Sequence, residues 1–205
     1  MKTLDGRLVI LGGASRSGKT AYARKQAGNA SPAFCFDIED HWGRLPGWRR
    51  FDTAQSWAAA VLSKSPGRCA LVPSGDLSAA FAYFCAVVFA YADRQGRCTV
   101  IAEELADVTT PGKAPAKWGA LVRRGLKRGV SIYAISQRWA EADKTALGNA
   151  SEFVIFRQSS ADDVKYLARK TRVPAAEIDA LKPLEYVAYD AALQTHHRGR
   201  LSFRM

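Results

Sequence analysis

Residues 7–20 of the chain read Arg-Leu-Val-Ile-Leu-Gly-Gly-Ala-Ser-Arg-Ser-Gly-Lys-Thr. The apolar run over residues 8–11 has the length and composition of a buried β-strand. It leads directly into the spacing Gly-x-x-x-x-Gly-Lys-Thr at residues 13–20, and a helix-compatible stretch over residues 21–27 follows. A strand, this glycine-rich loop and a helix, in that order, are the context in which a phosphate-binding P-loop forms. The stretch therefore predicts a nucleotide-binding α/β domain.

The residue types in this loop suit the binding of a phosphorylated ligand. Gly13 and Gly18 permit a tight turn whose backbone N–H groups point inward, and the positive end of the following helix attracts the same anion. We expect Lys19 to reach the β- and γ-phosphates and the Thr20 hydroxyl to bind Mg²⁺, so ATP and Mg²⁺ are the predicted cofactors. Arg16 is either a further phosphate contact or a solvated loop tip. The predicted nucleotide-binding residues are Gly13, Ala14, Ser15, Arg16, Ser17, Gly18, Lys19 and Thr20.

Composition indicates one globular unit with a strong positive charge. The chain has 205 residues, enough to bury its own core, and we expect a single domain over residues 1–205. Its 30 Lys and Arg against 19 Asp and Glu give a formal net charge of +11. Such an excess favours a polyanionic partner, either nucleic acid or an anionic membrane surface.

Cysteine usage and hydropathy indicate the compartment. The four cysteines show no C-x-x-C spacing, which favours buried free thiols and a reducing cytosol. The first residues lead directly into the predicted strand and leave no room for a signal peptide. Residues 77–92 form a run of 16 positions without a charge, which is short for a membrane span and predicts a buried helix instead. We therefore expect a cytoplasmic protein without a transmembrane segment.

Strand-like and helix-like segments alternate along the chain. Strands are predicted at residues 8–11, 33–36, 69–72, 98–102, 130–136, 153–156, 186–189 and 200–203. Helices are predicted at residues 21–27, 53–63, 77–93, 116–128, 141–147, 161–171 and 174–181. The basic residues 196–200 are predicted at an exposed hairpin tip. Because the strands are continuous apolar runs, both faces of the sheet should be covered. We predict a P-loop NTPase three-layer α/β sandwich: a mainly parallel central sheet, helices on both faces and an antiparallel C-terminal edge.

Polar residues end two neighbouring strands of this prediction. Glu103 and Glu104 follow the apolar strand 98–102, and Gln137 follows strand 130–136. Active sites of open α/β sheets lie at the carboxyl ends of the strands. There Glu103 would enter the metal shell, directly or through water, and Glu104 would orient the attacking water. Asp is usual at the first position, so direct metal contact by Glu103 stays open, and the alternative is a surface glutamate pair.

A basic cluster lies between these two strands. Four cations occupy six consecutive positions, namely Arg123, Arg124, Lys127 and Arg128. One arginine is a candidate arginine finger for a neighbouring subunit's γ-phosphate, and the other cations suit DNA phosphates. The alternative is a solvated basic helix end favoured by the helix dipole. The preceding Pro/Gly/Thr-rich loop carries two more lysines, which either contact DNA or are simply solvated. The predicted DNA-binding residues are Lys113, Lys117, Lys127 and Arg128.

Taken in order, these motifs resemble the FtsK–HerA superfamily of DNA-pumping ATPases. The resemblance runs over residues 7–170 through the P-loop, the glutamate pair, the arginine cluster, Gln137 and the segment Phe-Val-Ile-Phe-Arg at 153–157. It is strongest to the genome-packaging ATPases of tailless, internal-membrane-containing double-stranded DNA viruses. It implies a homo-oligomeric ring, a hexamer, that threads duplex DNA without sequence specificity. It also implies that Gln137 is a sensor and that Arg123 or Arg124 is the finger.

The leading hypothesis is an ATP-hydrolysing motor that translocates double-stranded DNA and packages a viral genome into a preformed capsid. If the chain is viral, it would act in the host cytoplasm, docked at a capsid vertex or against membrane-associated packaging proteins. A cellular or plasmid DNA pump would use the same residues. Two alternatives stay open: a cofactor-pathway small-molecule kinase, whose P-loop is similar, and a nucleotide-gated phage assembly or export protein. A kinase would need neither the glutamate pair nor a charge of +11.

Overall fold

A computed structural model describes residues 6–112 and 114–202 as one nine-stranded sheet flanked by helices. The strands are β1 (Leu8–Gly12), β2 (Ala33–Phe36), β3 (Arg49–Phe51), β4 (Arg68–Leu71), β5 (Cys98–Ala102), β6 (Val130–Ser136), β7 (Glu152–Phe156), β8 (Glu185–Asp190) and β9 (Thr195–Arg200). The helices are α1 (Lys19–Ala27), α2 (Ala54–Val61), α3 (Leu77–Gln95), α4 (Leu105–Val108), α5 (Ala116–Ala120), α6 (Lys144–Gly148), α7 (Ala161–Thr171) and α8 (Ala175–Asp179). A π-helical segment, Leu121–Gly125, continues α5.

The strand order places the functional strands side by side. The sheet runs β3-β4-β2-β5-β6-β1-β7-β8-β9, with β1 to β7 parallel and β8 and β9 antiparallel. Strand β6 lies between β5 and β1, in a register that pairs Gly12 with Ser136 and Ala102 with Ala134. The P-loop, the glutamate pair and Gln137 therefore leave the sheet at one edge. The predicted mainly parallel α/β fold with an antiparallel C-terminal edge is confirmed.

The side chains of each strand alternate between two hydrophobic layers, which explains the continuous apolar runs in the sequence. In β1, Leu8 and Ile10 face the larger layer, which helices α2 to α8 cover. Val9 and Leu11 face the smaller layer. Within the described residues that face is covered by α1, by the C-terminal Leu201 and by an irregular segment that carries Trp42 and Trp48. Helices thus lie on both faces, as predicted, but unequally. All four cysteines are free and buried, which is also as predicted.

Helix α3 covers the middle of the sheet. By length and composition it is the one described helix apolar enough to cross a membrane. One face packs into the larger layer through Phe81, Phe84, Cys85, Val87, Val88, Tyr91 and Ala92. Asp76 caps its N-terminus by accepting from Ala79 N at 3.0 Å. The run 77–92 therefore forms a core helix, as the sequence predicts.

The prediction of one basic helix over residues 116–128 is wrong. Helix α5 ends at Ala120, and the π-helical turn ends at Gly125. In the wider turn, Leu121 Cδ1 packs so near Gly125 that a Cβ on residue 125 would lie only 2.9 Å from it. The π-helical turn therefore depends on that glycine. Single π-helical turns of this kind are frequent at functional sites.

Two further segment predictions are corrected by the structure. The last strand is Thr195–Arg200 rather than residues 200–203, of which 203 lies outside the described residues. The basic residues 196–200 are therefore in β9, and the hairpin tip is residues 191–194. Asp190 closes that tip by accepting from the backbone N–H groups of Ala192 (2.8 Å) and Leu193 (2.9 Å). Helix α6 starts at Lys144 rather than at residue 141, because Asp143 caps it.

The Asp143 cap yields a test of the fold. This buried carboxylate accepts from Trp118 Nε1 at 3.0 Å and from the backbone N–H groups of Thr145 and Ala146. Asp143→Ala should lower the free energy of unfolding by about 3 kcal/mol, because it removes a cap and leaves a buried indole N–H unpartnered. Asp76→Ala, which removes only the exposed cap of α3, should cost about 1 kcal/mol. Urea denaturation measures both, and equal losses would contradict this account.

Candidate active site

The loop between β1 and α1 has the geometry that its glycines predict. Gly18 is the N-cap residue of α1 and has φ = +123°, a conformation that residues with a Cβ rarely adopt. A Cβ on Gly13 would lie 2.7 Å from Phe156 Cβ and 2.7 Å from Ser17 Oγ. Both glycines are therefore required by the path of the backbone.

Lys19 folds back over this loop. Its Nζ donates to the carbonyl oxygens of Gly13 at 2.7 Å and Ala14 at 2.9 Å. Burial lowers the pKa of Lys19, and the nearby carboxylates of Glu104 and Glu103 oppose this shift. Phosphate oxygens are stronger acceptors for an ammonium group than backbone carbonyls are. The lysine is therefore positioned to exchange its two carbonyl partners for a bound phosphate.

A pocket of about 650 Å³ opens beside the loop. This volume lies within the range of about 300–1,000 Å³ that small-molecule and cofactor sites occupy. The predicted residues that line it are Ser15, Arg16, Ser17, Gly18, Lys19, Thr20, Glu103, Glu104 and Gln137. Gly13 and Ala14 do not line the pocket but hold Lys19 through their carbonyl groups. The fold thus brings together motifs that are more than a hundred residues apart in the sequence.

A hydrogen bond joins the two polar strand ends. Gln137 Nε2 donates to Glu104 Oε1 at 3.1 Å. Glu104 has φ = +42°, in the left-handed region, where a residue with a side chain is strained. Its carbonyl accepts from Asp107 N at 2.9 Å, so the first turn of α4 maintains this conformation. The strained backbone aims Glu104 at Gln137 across the ends of β5 and β6.

Glu103 is the buried member of the glutamate pair. Only 3% of it is exposed, and Trp42 Nε1 donates to its Oε1 at 2.9 Å. Burial raises the pKa of Glu103 to about 8; the Trp42 hydrogen bond opposes the shift, and the charges of Asp37 and Glu104 add to it. The other oxygen, Oε2, is buried and has no hydrogen-bond partner among the described residues.

The unpartnered oxygen of Glu103 bears on the predicted Mg²⁺. Within residues 6–112 and 114–202, no three His, Cys, Asp or Glu side chains cluster to form a metal cage. Mg²⁺ is usually held by one or two carboxylates together with waters and substrate phosphates. Glu103 lines the same pocket as the Thr20 hydroxyl. One free carboxylate oxygen and one hydroxyl fit that pattern of ligation.

The sequence did not reveal all of the pocket wall. Six residues outside the predicted set contribute to it or support it, namely Ala21, Arg24, Glu39, His41, Trp42 and Leu184. Three of them follow Asp37, which comes directly after β2 at the same sheet edge as the glutamate pair. A carboxylate at a strand end followed by an irregular aromatic segment was a visible signal. Leu184 gave no such signal, because it reaches the loop from the C-terminal region, where its N–H donates to Ser17 O at 3.0 Å.

Comparison with known proteins identifies the family. No model of a known protein family matches the chain. It is 32% identical over 192 residues to protein P9 of Pseudoalteromonas phage PM2, and the alignment covers 91% of this chain and 86% of P9. The chain belongs to the P9 family.

Solved structures share the fold of this P9-family chain. The genome packaging NTPase B204 from Sulfolobus turreted icosahedral virus 2, in complex with AMPPCP, matches with a TM-score of 0.77 at 15% identity. That match covers 96% of this chain and 98% of B204. The unbound bacterial conjugative coupling protein TrwBdeltaN70 matches with a TM-score of 0.71 at 10% identity, over 100% of this chain and 86% of that protein. These matches confirm the predicted P-loop NTPase fold, and the resemblance to viral genome-packaging ATPases holds at the level of the fold.

The arginine cluster of this P9-family chain lies outside its own pocket. Arg124 and Arg128 lie over the ring of Phe89 on α3, with guanidinium carbons 5.1 and 4.8 Å from its centroid. Arg128 also pairs with Asp93 at 2.7 Å. Arg123 is exposed on the π-helical turn. None of the three lines the nucleotide pocket of the same chain.

The predicted DNA-binding residues have different surroundings. Lys117 on α5 and Lys127 after the π-helical turn are exposed. Arg128 is engaged with Asp93 and Phe89, so it is a weaker candidate for DNA contact than the sequence suggests. Lys113 lies outside the described residues.

The burial of Glu103 in this P9-family chain predicts a pH-dependent stability. The pKa of Glu103 is about 8 in the folded state and exceeds the ordinary glutamate value of 4.5. At pH values between these two, the native state keeps a proton that the unfolded state has lost. Without Mg²⁺ and nucleotide, stability should fall as pH rises from about 5 to about 8. Glu103→Gln removes this dependence, because the amide does not ionise.

Thermal denaturation in EDTA checks this expectation. At about pH 5 the wild type and Glu103→Gln should unfold at similar temperatures, because both side chains are neutral. At about pH 9 the variant should be more stable by a few kcal/mol. A stability difference that stayed constant between the two pH values would contradict the assignment of a raised pKa to Glu103.

Proposed function

We propose that the chain is an ATP-hydrolysing motor that translocates double-stranded DNA and packages a viral genome into a preformed capsid. The observation that carries the proposal is the hydrogen bond from Gln137 to Glu104 beside the P-loop. A protein that only binds nucleotide needs the phosphate cradle alone. A carboxylate and an amide joined at the ends of adjacent strands add the groups that position water and detect the γ-phosphate.

Five residues of the pocket have roles in this proposal. Lys19 would bind the β- and γ-phosphates, and Thr20 and Glu103 would hold Mg²⁺, which supplies positive charge beside the same phosphates when it is bound. Glu104 orients the attacking water and accepts its proton. Gln137 donates to Glu104 before ATP arrives. A γ-phosphate that recruits the Gln137 amide would free Glu104 for water, so hydrolysis would begin only after the sensor has engaged.

Charge and fold relatives support DNA as the substrate of the motor. A net charge of +11 suits a duplex held through its phosphates without sequence readout. The fold relatives include a genome packaging NTPase and a bacterial conjugative coupling protein. Lys117 and Lys127, which are exposed, are proposed to contact the backbone of the duplex, and Lys113 is proposed with them from sequence alone.

The position of the arginine cluster supports a ring of identical subunits. Arg123 and Arg124 do not line the pocket of their own chain, so a catalytic arginine from this cluster would act on the nucleotide of a neighbour. We propose a hexamer that works in the host cytoplasm, docked at the capsid vertex. Of the two arginines, Arg123 is free of the Phe89 contact that Arg124 makes, which favours Arg123 as the finger.

The motor is tested by its ATPase rate with and without duplex DNA. Phosphate release should rise several-fold with DNA of unrelated sequences and lose this stimulation between about 50 and 200 mM salt. Lys19→Ala should lower the rate at least about 100-fold, because it removes the cation that faces the phosphates. Gln137→Ala should lower it by about 10²-fold while the nucleotide affinity is retained. Equal rates with and without DNA at low salt would contradict the motor, and turnover only with a small-molecule acceptor would support a kinase.

A mixing experiment tests whether the arginine acts between subunits. Arg123→Ala and Lys19→Ala should each be inactive alone, with losses of about 10³-fold or more for the finger. In mixed rings, intact P-loops of the first variant meet intact arginines of the second, so part of the activity should return. Arg94→Ala, an exposed cation at the end of α3, is the control and should keep wild-type hydrolysis. Mixtures as inactive as their components would rule out Arg123 as a finger in trans.

A further inference from the structure

The segment that follows β2 touches the glutamate assigned to Mg²⁺. Trp42 is fully buried, and its indole Nε1 donates to Glu103 Oε1 at 2.9 Å. The two residues are 61 positions apart, so the contact exists only in the folded chain. Because Oε1 is occupied by the indole, Oε2 is the oxygen of Glu103 left for another ligand, and it has no partner within the described residues.

We propose that Trp42 is a positioning residue of the nucleotide site: its indole N–H holds one oxygen of Glu103 and so directs the other toward the Mg²⁺ of the Mg·ATP complex. This inference rests on the proposed function, which assigns Glu103 to the metal. Trp42 does not line the pocket and would act through the carboxylate. Partners of this kind typically change metal affinity by about 10–100-fold when they are removed.

Asp37 holds the backbone that carries Trp42. Its Oδ1 accepts from His41 N at 2.8 Å, and its Oδ2 accepts from Trp42 N at 2.9 Å and Gly43 N at 2.8 Å. Asp37 is fully buried at the end of β2, which pairs directly with β5. Three charge-assisted hydrogen bonds to consecutive N–H groups fix this turn against the strand that ends at Glu103. The position of the indole is therefore set by the sheet itself.

Packing around the ring fixes its orientation. Trp42 and Trp48 make an edge-on contact with ring centroids 5.1 Å apart, and the guanidinium carbon of Arg24 lies 5.9 Å from the Trp42 ring. Arg24 also lines the pocket. A buried side chain with these two contacts cannot rotate without disturbing the cluster, so the N–H stays directed at Glu103.

The length of the Glu103 side chain explains why the hydrogen bond from Trp42 matters. A glutamate has one more rotatable bond than the aspartate that is usual at this position, so its carboxylate has more orientations to lose on binding a metal. A fixed hydrogen bond to one oxygen removes that freedom before the ligand arrives. Because the donor side chain lies in a buried hydrophobic layer, the rest of that side chain must be apolar. An indole provides both an N–H donor and an apolar ring system.

The two tryptophans of this cluster provide a matched pair of variants. Trp42→Phe keeps an aromatic ring but removes the N–H that contacts Glu103. Trp48→Phe makes the same chemical change one ring away, where the indole donates to Gly28 O at 3.3 Å instead. Loss of packing should affect both variants, whereas loss of the Glu103 contact affects only the first.

Binding of a non-hydrolysable ATP analogue, measured with Mg²⁺ and again in EDTA, tests the inference. In the wild type and in Trp48→Phe, Mg²⁺ should strengthen binding to the same extent. In Trp42→Phe the strengthening by Mg²⁺ should fall by about 10-fold or more, while affinity in EDTA is unchanged. Adding Trp42→Phe to Glu103→Gln should change Mg²⁺-dependent binding no further, because the two residues act as one unit.

Three results would overturn the inference. Equal Mg²⁺ dependence in Trp42→Phe and wild type would remove the role of Trp42 while leaving the proposed ATPase intact. Additive losses in the double variant would show that Trp42 acts independently of Glu103. A wild type that binds the analogue equally with Mg²⁺ and in EDTA would remove the metal role of Glu103, and with it both the inference and that part of the proposed function.

A measurement on the wild type covers the case in which Trp42→Phe does not fold. The indole N–H signals of the tryptophans are resolved by NMR with a ¹⁵N-labelled chain, and Trp48→Phe identifies one of them. Addition of Mg²⁺ to the analogue-bound chain should shift one buried indole signal strongly and leave that of Trp48 in place. If no indole signal responds to Mg²⁺, the proposed connection between Trp42 and the metal is wrong.

Discussion

Parallel pairing of β5, β6 and β1 is the constraint on which the site depends. In parallel strands all carboxyl ends meet at one edge, so a loop, a glutamate pair and an amide from distant parts of the chain arrive together. The register leaves little freedom, because a slip by one residue would turn every buried side chain of a strand to the opposite layer. The hydrophobic pattern that fixes the sheet therefore also fixes the distance between Gln137 and Glu104.

Electrostatic opposition across the pocket keeps the site ready for a ligand. Burial disfavours the charged forms of Lys19 and Glu103. It therefore lowers the pKa of Lys19 and raises the pKa of Glu103. Lys19 satisfies its N–H groups on loop carbonyls, whereas Glu103 keeps one oxygen free. In the proposed function, Mg·ATP would supply phosphate oxygens to Lys19 and a cation to Glu103. Binding of that ligand would offset the unfavourable burial of both groups.

In the proposed function, nucleotide binding and the action on a neighbouring subunit depend on opposite faces of the sheet. The smaller layer contains α1 and Trp42, the partner of Glu103, and so supports the groups proposed to bind the metal and the phosphates. The larger layer carries α3 and the π-helical turn, whose exposed Arg123 does not line the pocket of its own chain. Nucleotide binding and the action on a neighbour would then be separated by the rigid sheet.

The sequence by itself determined the P-loop, nine of the residues that line the pocket, the bounds of most strands and the P-loop NTPase fold, because these depend on local spacing and on apolar runs. It did not determine the end of the basic helix at Gly125, the register of β9 or the contact of Trp42 with Glu103. Those features depend on where distant segments pack: a turn widened for Leu121, a hairpin closed by Asp190 and an indole held by Asp37. Local pattern decides which groups are present, and tertiary packing decides which of them touch, because side-chain contacts across a sheet carry no signature in sequence spacing.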